Sequence, residues 1–121
     1  MKITIVSTVY NKEKHLSKHI ESLVNQTYNN IEYIFVNDES TDKSLSILEK
    51  YKKKYPKIKI ITQKNQGPSY ARKTGYRYAT GDLIYFVDSD DTLYNKDVIK
   101  EIVNIFSINP TVDFVIGKIE N

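Results

Sequence analysis

The chain has 121 residues, a mass of 14.1 kDa and a formal net charge of +3, with 40% hydrophobic and 27% charged residues. These values are typical of one globular domain. The absence of cysteine excludes a disulfide framework, a thiolate zinc site and a cysteine nucleophile, and it suits a cytoplasmic location. No apolar run approaches the roughly 20 residues of a membrane span, and the first apolar stretch is too short for a signal peptide.

Strand and helix patterns alternate along the first half of the chain. An apolar run at 3–7 predicts a strand, and the segment after it repeats apolar residues at helical spacing, at Leu16, Ile20, Leu23 and Val24. A second strand is predicted at 31–36. The next helix carries its apolar residues on one side, at Leu45, Leu48, Tyr51 and Tyr55. Ser40, Thr41 and Asp42 offer N-cap chemistry for this helix, which is expected to end near Pro56.

The alternation continues in the second half. A third strand is predicted at 58–62, and Gln66–Ser69 opens a helix that ends at Thr80 and Gly81. One face of this helix is small enough to approach a sheet closely, at Ala71, Gly75 and Ala79. A fourth strand at 83–87, a helix from about Lys96 that stops before Pro110, and a fifth strand at 112–116 complete the pattern.

Five strands alternating with four helices predict an α/β fold: a Rossmann-like, mostly parallel sheet with helices on both faces and right-handed crossovers. In such sheets, ligands bind beyond the carboxyl ends of the strands. Three polar segments follow predicted strands and should therefore converge: Ser7–Asn11, Asn37–Asp42 and Asp88–Asp91.

Three carboxylates crowd into the turn behind the fourth strand, at Asp88, Asp90 and Asp91. Like charges this close repel each other, so a positive group is expected among them. Carboxylate oxygens are the ligands that hard divalent cations prefer. The turn is therefore a candidate cation or ligand site.

Several site classes fit the sequence poorly. The turn after the first strand has no glycine, which excludes the usual dinucleotide and P-loop fingerprints. A phosphate-accepting receiver domain would need an acidic pair where Ser7 and Thr8 stand. His15 and His19 have the four-residue spacing of metal ligands, but without a third ligand nearby they are interpreted as surface residues.

The basic residues of the chain concentrate in Lys50–Lys59, where they are interleaved with Tyr51 and Tyr55. This pattern fits contact with nucleic acid or anionic lipid, and it also fits the solvated end of an amphipathic helix. The small charge excess and the scarcity of arginine favour the helix. We therefore expect no nucleic-acid partner, and membrane contact that is at most peripheral.

A set of short motifs in one order resembles the family 2 glycosyltransferases across essentially the whole chain. The motifs are Val9–Glu13, Leu23–Tyr28, Val36–Asp42, Gly67 with Ala71 and Arg72, Ala79–Gly81 and Asp88–Asp91. The resemblance implies the N-terminal, nucleotide-sugar-binding half of a GT-A fold. It also implies a nucleotide-diphosphate sugar as donor, with a UDP-sugar as the first candidate. The implied cofactor is Mg²⁺ or Mn²⁺, and the implied transfer inverts the configuration at the sugar carbon. The implied setting is bacterial cell-surface polysaccharide or glycan synthesis, in the cytoplasm or at the inner face of the membrane.

The same resemblance implies a role for each matching residue. The implied nucleotide-binding residues are Thr8, Val9, Tyr10, Asp38, Arg72, Asp88 and Ser89. Among them, Asp38 would accept a hydrogen bond from the base, Arg72 would meet the diphosphate, and Asp88 would lie nearer the ribose hydroxyls. Asp90 is the first choice for the metal, with Asp91 a close rival.

The chain departs from the family pattern at three positions and ends early. Thr8 stands where proline is common, Asn37 replaces the first acid of an acidic pair, and Glu39 replaces a common glycine and adds charge and bulk beside the pocket for the nucleotide base. The family's catalytic base lies well downstream of the acidic turn, so it is expected beyond Asn121. Residues 1–121 are thus expected to be one nucleotide-sugar-binding domain truncated from a longer glycosyltransferase, whose acceptor would be a glycan or lipid-linked.

An alternative is that the chain is a nucleotide- or partner-binding module with no transfer activity of its own. Without the second half of the fold, exposed apolar sheet surface could also cause self-association.

Overall fold

The structure is a computed structural model, and it describes residues 1–108 together with a short strand at 119–120. The elements in chain order are β1 (Ile3–Val9), α1 (Leu16–Val24), β2 (Ile31–Asn37), α2 (Ser44–Lys54), β3 (Ile58–Thr62), α3 (Pro68–Tyr78), β4 (Leu83–Asp88), β5 (Thr92–Leu93), α4 (Val98–Ile108) and β6 (Ile119–Glu120). The fifth strand predicted at 112–116 lies outside the described residues.

Four strands form a parallel sheet in the order β3-β2-β1-β4. The chain steps outward from β1 through β2 to β3 and then returns to place β4 on the other side of β1. The strand order therefore reverses between β1 and β4, which is where open α/β sheets bind ligands. Thr8 is in register with Asp88 and Val9 with Asn37, so three carboxyl ends lie level. The predicted α/β class with a mostly parallel sheet is confirmed.

Helices cover both faces of this sheet, as the sequence predicted. Side chains alternate along each strand, so β1 sends Ile3, Ile5 and Val9 into the larger core and Val6 into the smaller one. The larger core contains apolar residues of α1, α2 and α4, and the smaller one contains Ala71 of α3. All of β2 is buried because both of its faces are covered.

Within residues 1–108, no helix is both long and apolar enough to cross a lipid bilayer.

The small face of α3 packs directly on β1, as expected from its sequence. A methyl group built on Gly75 would lie 2.3 Å from Cγ1 of Val6, a buried side chain in a central strand. Neither partner can move without disturbing the sheet, so glycine at this position sets the distance between helix and sheet.

Gly75→Ala is expected to lower the free energy of unfolding by about 2 kcal/mol, because overpacking outweighs the gain in helix propensity. Denaturant unfolding measures this effect, with Lys73→Ala on the exposed side of the same helix as the matched control. A Gly75→Ala variant as stable as the control would show that α3 can shift away from β1 at no cost.

A buried carboxylate ties the amino end of the sheet together. The side chain of Glu32 accepts hydrogen bonds from Thr4 Oγ1 at 2.7 Å, from the backbone N of Thr80 at 2.8 Å and from Lys59 Nζ at 2.6 Å. Burial acts to raise the pKa of Glu32, but the hydrogen bonds from Lys59, Thr80 and Thr4 outweigh it and lower that pKa to about 2. Glu32 thus fixes the turn between α3 and β4.

Candidate functional site

A cleft of about 490 Å³ lies at the carboxyl ends of the strands, between β1, β2, β4 and the segment before α3. It is lined by six of the seven predicted nucleotide-binding residues and by one predicted metal ligand. These are Thr8, Val9, Tyr10, Asp38, Asp88, Ser89 and Asp90. The three polar segments therefore converge, as the sequence predicted, at the point where the strand order reverses.

Asp38 forms one wall of the cleft and is only 3% exposed. Its Oδ1 accepts hydrogen bonds from Gln63 Nε2 and the backbone N of Gln66, each at 3.0 Å, and its Oδ2 accepts one from the backbone N of Gly67, also at 3.0 Å. A carboxylate has about four lone-pair sites, so one site on Oδ2 has no partner among the described residues. Asp38 therefore holds the segment before α3 in place and can accept one more donor, such as the N–H of a base.

The loops after β1 and β2 are fastened to each other on the outer side of the cleft. Asn11, with φ of 51°, accepts hydrogen bonds at Oδ1 from the backbone N of Thr41 at 2.8 Å and of Asp42 at 3.3 Å. Asparagine tolerates this left-handed conformation better than most residues. The adjacent Tyr10 is 47% exposed at the cleft, which leaves its ring face available to a planar ligand.

Glu39 also has a left-handed backbone, with φ of 61°. A glycine, which the sequence analysis expected here from the resemblance, would adopt this conformation without strain. The side chain of Glu39 is exposed, and its Oε1 accepts a hydrogen bond from the backbone N of Asn65 at 3.3 Å. The added charge therefore lies beside the cleft wall.

Arg72, the seventh predicted nucleotide-binding residue, is not among the residues that line the cleft. It lies in the first half of α3, where its Nη2 donates a hydrogen bond to Ser69 Oγ at 3.4 Å. The guanidinium group would have to turn away from Ser69 to reach a ligand in the cleft.

The acidic turn after β4 brings three carboxylates together. One oxygen each from Asp88, Asp90 and Asp91 lies within 4.8 Å of the others. Burial, with the neighbouring charges of Asp90 and Asp88, raises the pKa of Asp91. A divalent cation would relieve this repulsion, and an all-oxygen donor set suits Mg²⁺ or Mn²⁺. The residues present therefore fit the expected metal.

Ser89, inside this turn, lines the cleft although it is buried. Within the described part of the chain, its Oγ has no hydrogen-bond partner. A buried hydroxyl without a partner is costly unless a water or ligand satisfies it. A polar ligand in the cleft could do so.

Lys12 is a cleft residue that the sequence analysis missed. Its Nζ lies 3.4 Å from Oδ2 of Asp90, and its backbone N donates a hydrogen bond to Ser44 Oγ at 2.9 Å. The ammonium group partly offsets the negative charge of the acidic turn. No periodicity or motif indicates this contact, because Lys12 and Asp90 are 78 residues apart.

The prediction that both histidines are surface residues is wrong for His19. His15 is exposed, but the His19 side chain is fully buried. Burial lowers the pKa of His19 to about 4, although the hydrogen bond to Asp91 and the charges of Asp90 and Asp88 act in the opposite direction. The physical reason is the helical period: His19 falls three residues after Leu16 and four before Leu23, on the buried face of α1.

A polar side chain of α1 and one just after the helix hold the backbone that follows the acidic turn. Ser22 Oγ accepts a hydrogen bond from the backbone N of Leu93 at 3.2 Å. Gln26 donates from Nε2 to the carbonyl of Asn95 at 2.8 Å and accepts at Oε1 from the backbone N of Ile99 at 3.0 Å. Gln26 belongs to a motif noted in the sequence, but its partners could not be read from it.

Comparison with known proteins agrees with this geometry. The sequence model of the family described as Glycosyl transferase family 2 matches residues 4–121. An uncharacterized glycosyltransferase of Haemophilus influenzae is 44% identical over 101 residues, which cover 83% of this chain and 40% of that protein. The poly(ribitol-phosphate) beta-glucosyltransferase of Bacillus spizizenii is 41% identical over 124 residues, which cover 99% of this chain and 19% of that protein.

A solved structure has the same architecture. The crystal structure of S. aureus TarS 1-349 in complex with UDP-GlcNAc is similar with a TM-score of 0.85 and 28% identity, over 98% of this chain and 37% of that one. The chain thus spans less than half the length of these relatives. The family model covers nearly all of it, and the chain belongs to glycosyl transferase family 2.

Proposed function

We propose that this chain is the donor-binding part of a glycosyltransferase and that its donor is a nucleotide-diphosphate sugar, with UDP-sugars as the first candidates. The observation that carries the proposal is the cleft at the reversal of strand order, where a buried acceptor, Asp38, faces the same space as the acidic turn. The TarS structure, which contains UDP-GlcNAc, supports the choice of nucleotide.

Each part of the donor has a chemically suitable neighbour in the cleft. The open lone pair of Asp38 Oδ2 would accept an N–H of the base, and Tyr10, with Thr8 and Val9, would pack against base and ribose. Asp88 would bond the ribose hydroxyls, and so would the hydroxyl of Ser89, which has no partner within the described residues. Lys12, and Arg72 after a rotation of its side chain, would pair with phosphate oxygens.

The acidic turn would hold the cofactor. Asp90 and Asp91 are the proposed ligands of Mg²⁺ or Mn²⁺, and when bound the ion neutralises negative charge on the leaving diphosphate. The protein residues would supply orientation, since the level carboxyl ends of β1, β2 and β4 bring the proposed contacts of base, ribose and diphosphate to one edge of the sheet.

The proposal also includes the acceptor of the sugar and the stereochemistry of the transfer. Inversion at the sugar carbon follows from the resemblance to the family. The Bacillus spizizenii relative acts, by its description, on poly(ribitol-phosphate), which supports a bacterial cell-surface polymer as acceptor. These functions concern the whole enzyme of which the present cleft would be the donor site.

Calorimetric titration of UDP, UDP-GlcNAc and GDP into the 121-residue chain, with Mn²⁺ and with EDTA, tests the donor assignment. We expect UDP to bind at least about 10-fold more tightly with Mn²⁺, since the ion would offset the repulsion between the diphosphate and the carboxylates of the acidic turn. Equal affinity in the two buffers would contradict the metal role. Tighter binding of GDP than of UDP would contradict the choice of base.

A further inference from the structure

We propose that His19 is a positioning residue for the acidic turn: its buried imidazole fixes the backbone at Asp91 and so holds the carboxylates of Asp90 and Asp91 where a divalent cation needs them. This inference rests on the metal role proposed above. It concerns a buried side chain that does not line the cleft.

Both ring nitrogens of His19 form hydrogen bonds, one with β1 and the other with the acidic turn. Its Nδ1 lies 2.6 Å from the carbonyl oxygen of Asp91, and its Nε2 lies 2.7 Å from Ser7 Oγ. Because a carbonyl can only accept, Nδ1 carries the hydrogen, and Nε2 then accepts from the Ser7 hydroxyl. The carbonyl of Asp91 therefore fixes the tautomer, and the hydroxyl of Ser7, in β1, holds the other ring nitrogen.

The ring itself has little freedom to move. Both Ser7 and His19 are fully buried. The imidazole meets the ring of Phe35 edge-on, with centroids 6.1 Å apart and an angle of 87° between the planes. A buried ring held at both nitrogens and against an aromatic neighbour can transmit the position of the sheet to the turn.

The acidic turn needs such an anchor because its own charges push it apart. Within the turn, the backbone N of Asp91 donates to the carbonyl of Asp88 at 3.1 Å. The bond from His19 adds a second restraint at Asp91, at its carbonyl oxygen, and it brings no positive charge. Lys12, by contrast, places an ammonium group 3.4 Å from Asp90, where a cation would compete with it.

This arrangement resembles the way outer-shell partners orient metal ligands, although here the bond goes to the backbone of a ligand and not to its side chain. Loss of an outer-shell partner typically costs 10- to 100-fold in metal affinity. Ser22 in α1 and Gln26 just after it contact the segment behind the turn only from Leu93 onward. Among these three, His19 is the one that reaches the acidic turn itself.

Two substitutions separate the two nitrogens of His19. Asparagine places an amide N–H at the position of Nδ1, whereas glutamine places its amide near Nε2 and leaves Asp91 without its donor. We expect His19→Gln to bind Mn²⁺ about 10-fold more weakly than wild type and His19→Asn to stay within about 3-fold. Mn²⁺ affinity would be measured on the 121-residue chain by electron paramagnetic resonance, and the melting temperature of each variant by circular dichroism.

Glu32→Gln is the matched control, because it destabilises the opposite end of the same sheet and should leave Mn²⁺ affinity unchanged. Ser7→Ala is a milder variant in case His19→Gln does not fold; it frees the ring and should weaken Mn²⁺ binding about 3-fold.

The outcomes separate this inference from the proposed function. A wild-type chain that does not bind Mn²⁺ overturns the metal role and, with it, the role of His19. Wild-type binding that is unchanged in His19→Gln and Ser7→Ala overturns the positioning role alone. Affinity that falls equally in His19→Asn, His19→Gln and Glu32→Gln, in step with melting temperature, also overturns it, because the effect would then be a general loss of stability.

Discussion

Asp90→Asn is expected to weaken Mn²⁺-dependent binding of UDP about 100-fold. Asparagine keeps the size of the side chain but removes its charge, and its amide group can turn an N–H toward the cation. Asp90 lines the cleft with a side chain that is 45% exposed, whereas Asp91, the other proposed ligand, does not line it. Titration calorimetry with and without Mn²⁺ measures the loss.

The fold should survive this substitution, which makes the result interpretable. Removing the charge of Asp90 relieves repulsion on Asp91, whose pKa it helps to raise. The ion pair with Lys12 that is lost is exposed and contributes at most about 1 kcal/mol. We therefore expect the free energy of unfolding without metal to change by less than about 1 kcal/mol.

Two further variants show which acid binds the ion. Asp82→Asn, an exposed acid at the amino end of the sheet, is the control and should bind as wild type does. Asp91→Asn should lose less affinity than Asp90→Asn, since Asp91 does not line the cleft. A larger loss for Asp91→Asn would reverse the assignment of the two residues.

Local pattern was enough to predict the sheet and its two layers of helices. The period of apolar residues distinguishes α1 from β1, and the small face of α3 indicates close packing because Ala71 and Gly75 recur at helical spacing. The site was predictable for a related reason. Polar residues that follow parallel strands must meet at one edge, so Thr8, Asp38 and Asp88 could be grouped before any contact was known.

The unpredicted features are contacts between residues far apart in the chain. His19 and Asp91 are separated by 72 residues, and Glu32 and Thr80 by 48. No spacing rule connects such positions. Strand β5 has two residues, too few to show a period. The burial of His19 could be predicted from its place on the apolar face of α1, but its contact with Asp91 could not.

Asp38→Ala is expected to have a large effect on stability and to lower the free energy of unfolding by about 3 kcal/mol. The substitution leaves the backbone N–H groups of Gln66 and Gly67, and the amide of Gln63, without their acceptor. A part-buried donor without a partner costs about 1–3 kcal/mol, although water will reach some of the space vacated. Denaturant unfolding at neutral pH measures the change.

Glu39→Ala is the matched control, because Glu39 also accepts a backbone bond from this segment, from Asn65, but is exposed. We expect it to cost less than about 0.5 kcal/mol. Similar losses for both variants would show that Asp38 does not anchor the segment.

The two roles of Asp38 can be separated by comparing stability with UDP affinity. Asp38→Ala removes the anchor and the acceptor for the base together, so its loss of affinity has two causes. Gln63→Ala removes one bond to Asp38 Oδ1 and leaves the open site on Oδ2 intact. It should therefore lower stability while UDP affinity stays within about 3-fold of wild type. If Gln63→Ala weakens UDP binding as much as Asp38→Ala does, the cleft depends on Asp38 for its shape and not for a contact with the base.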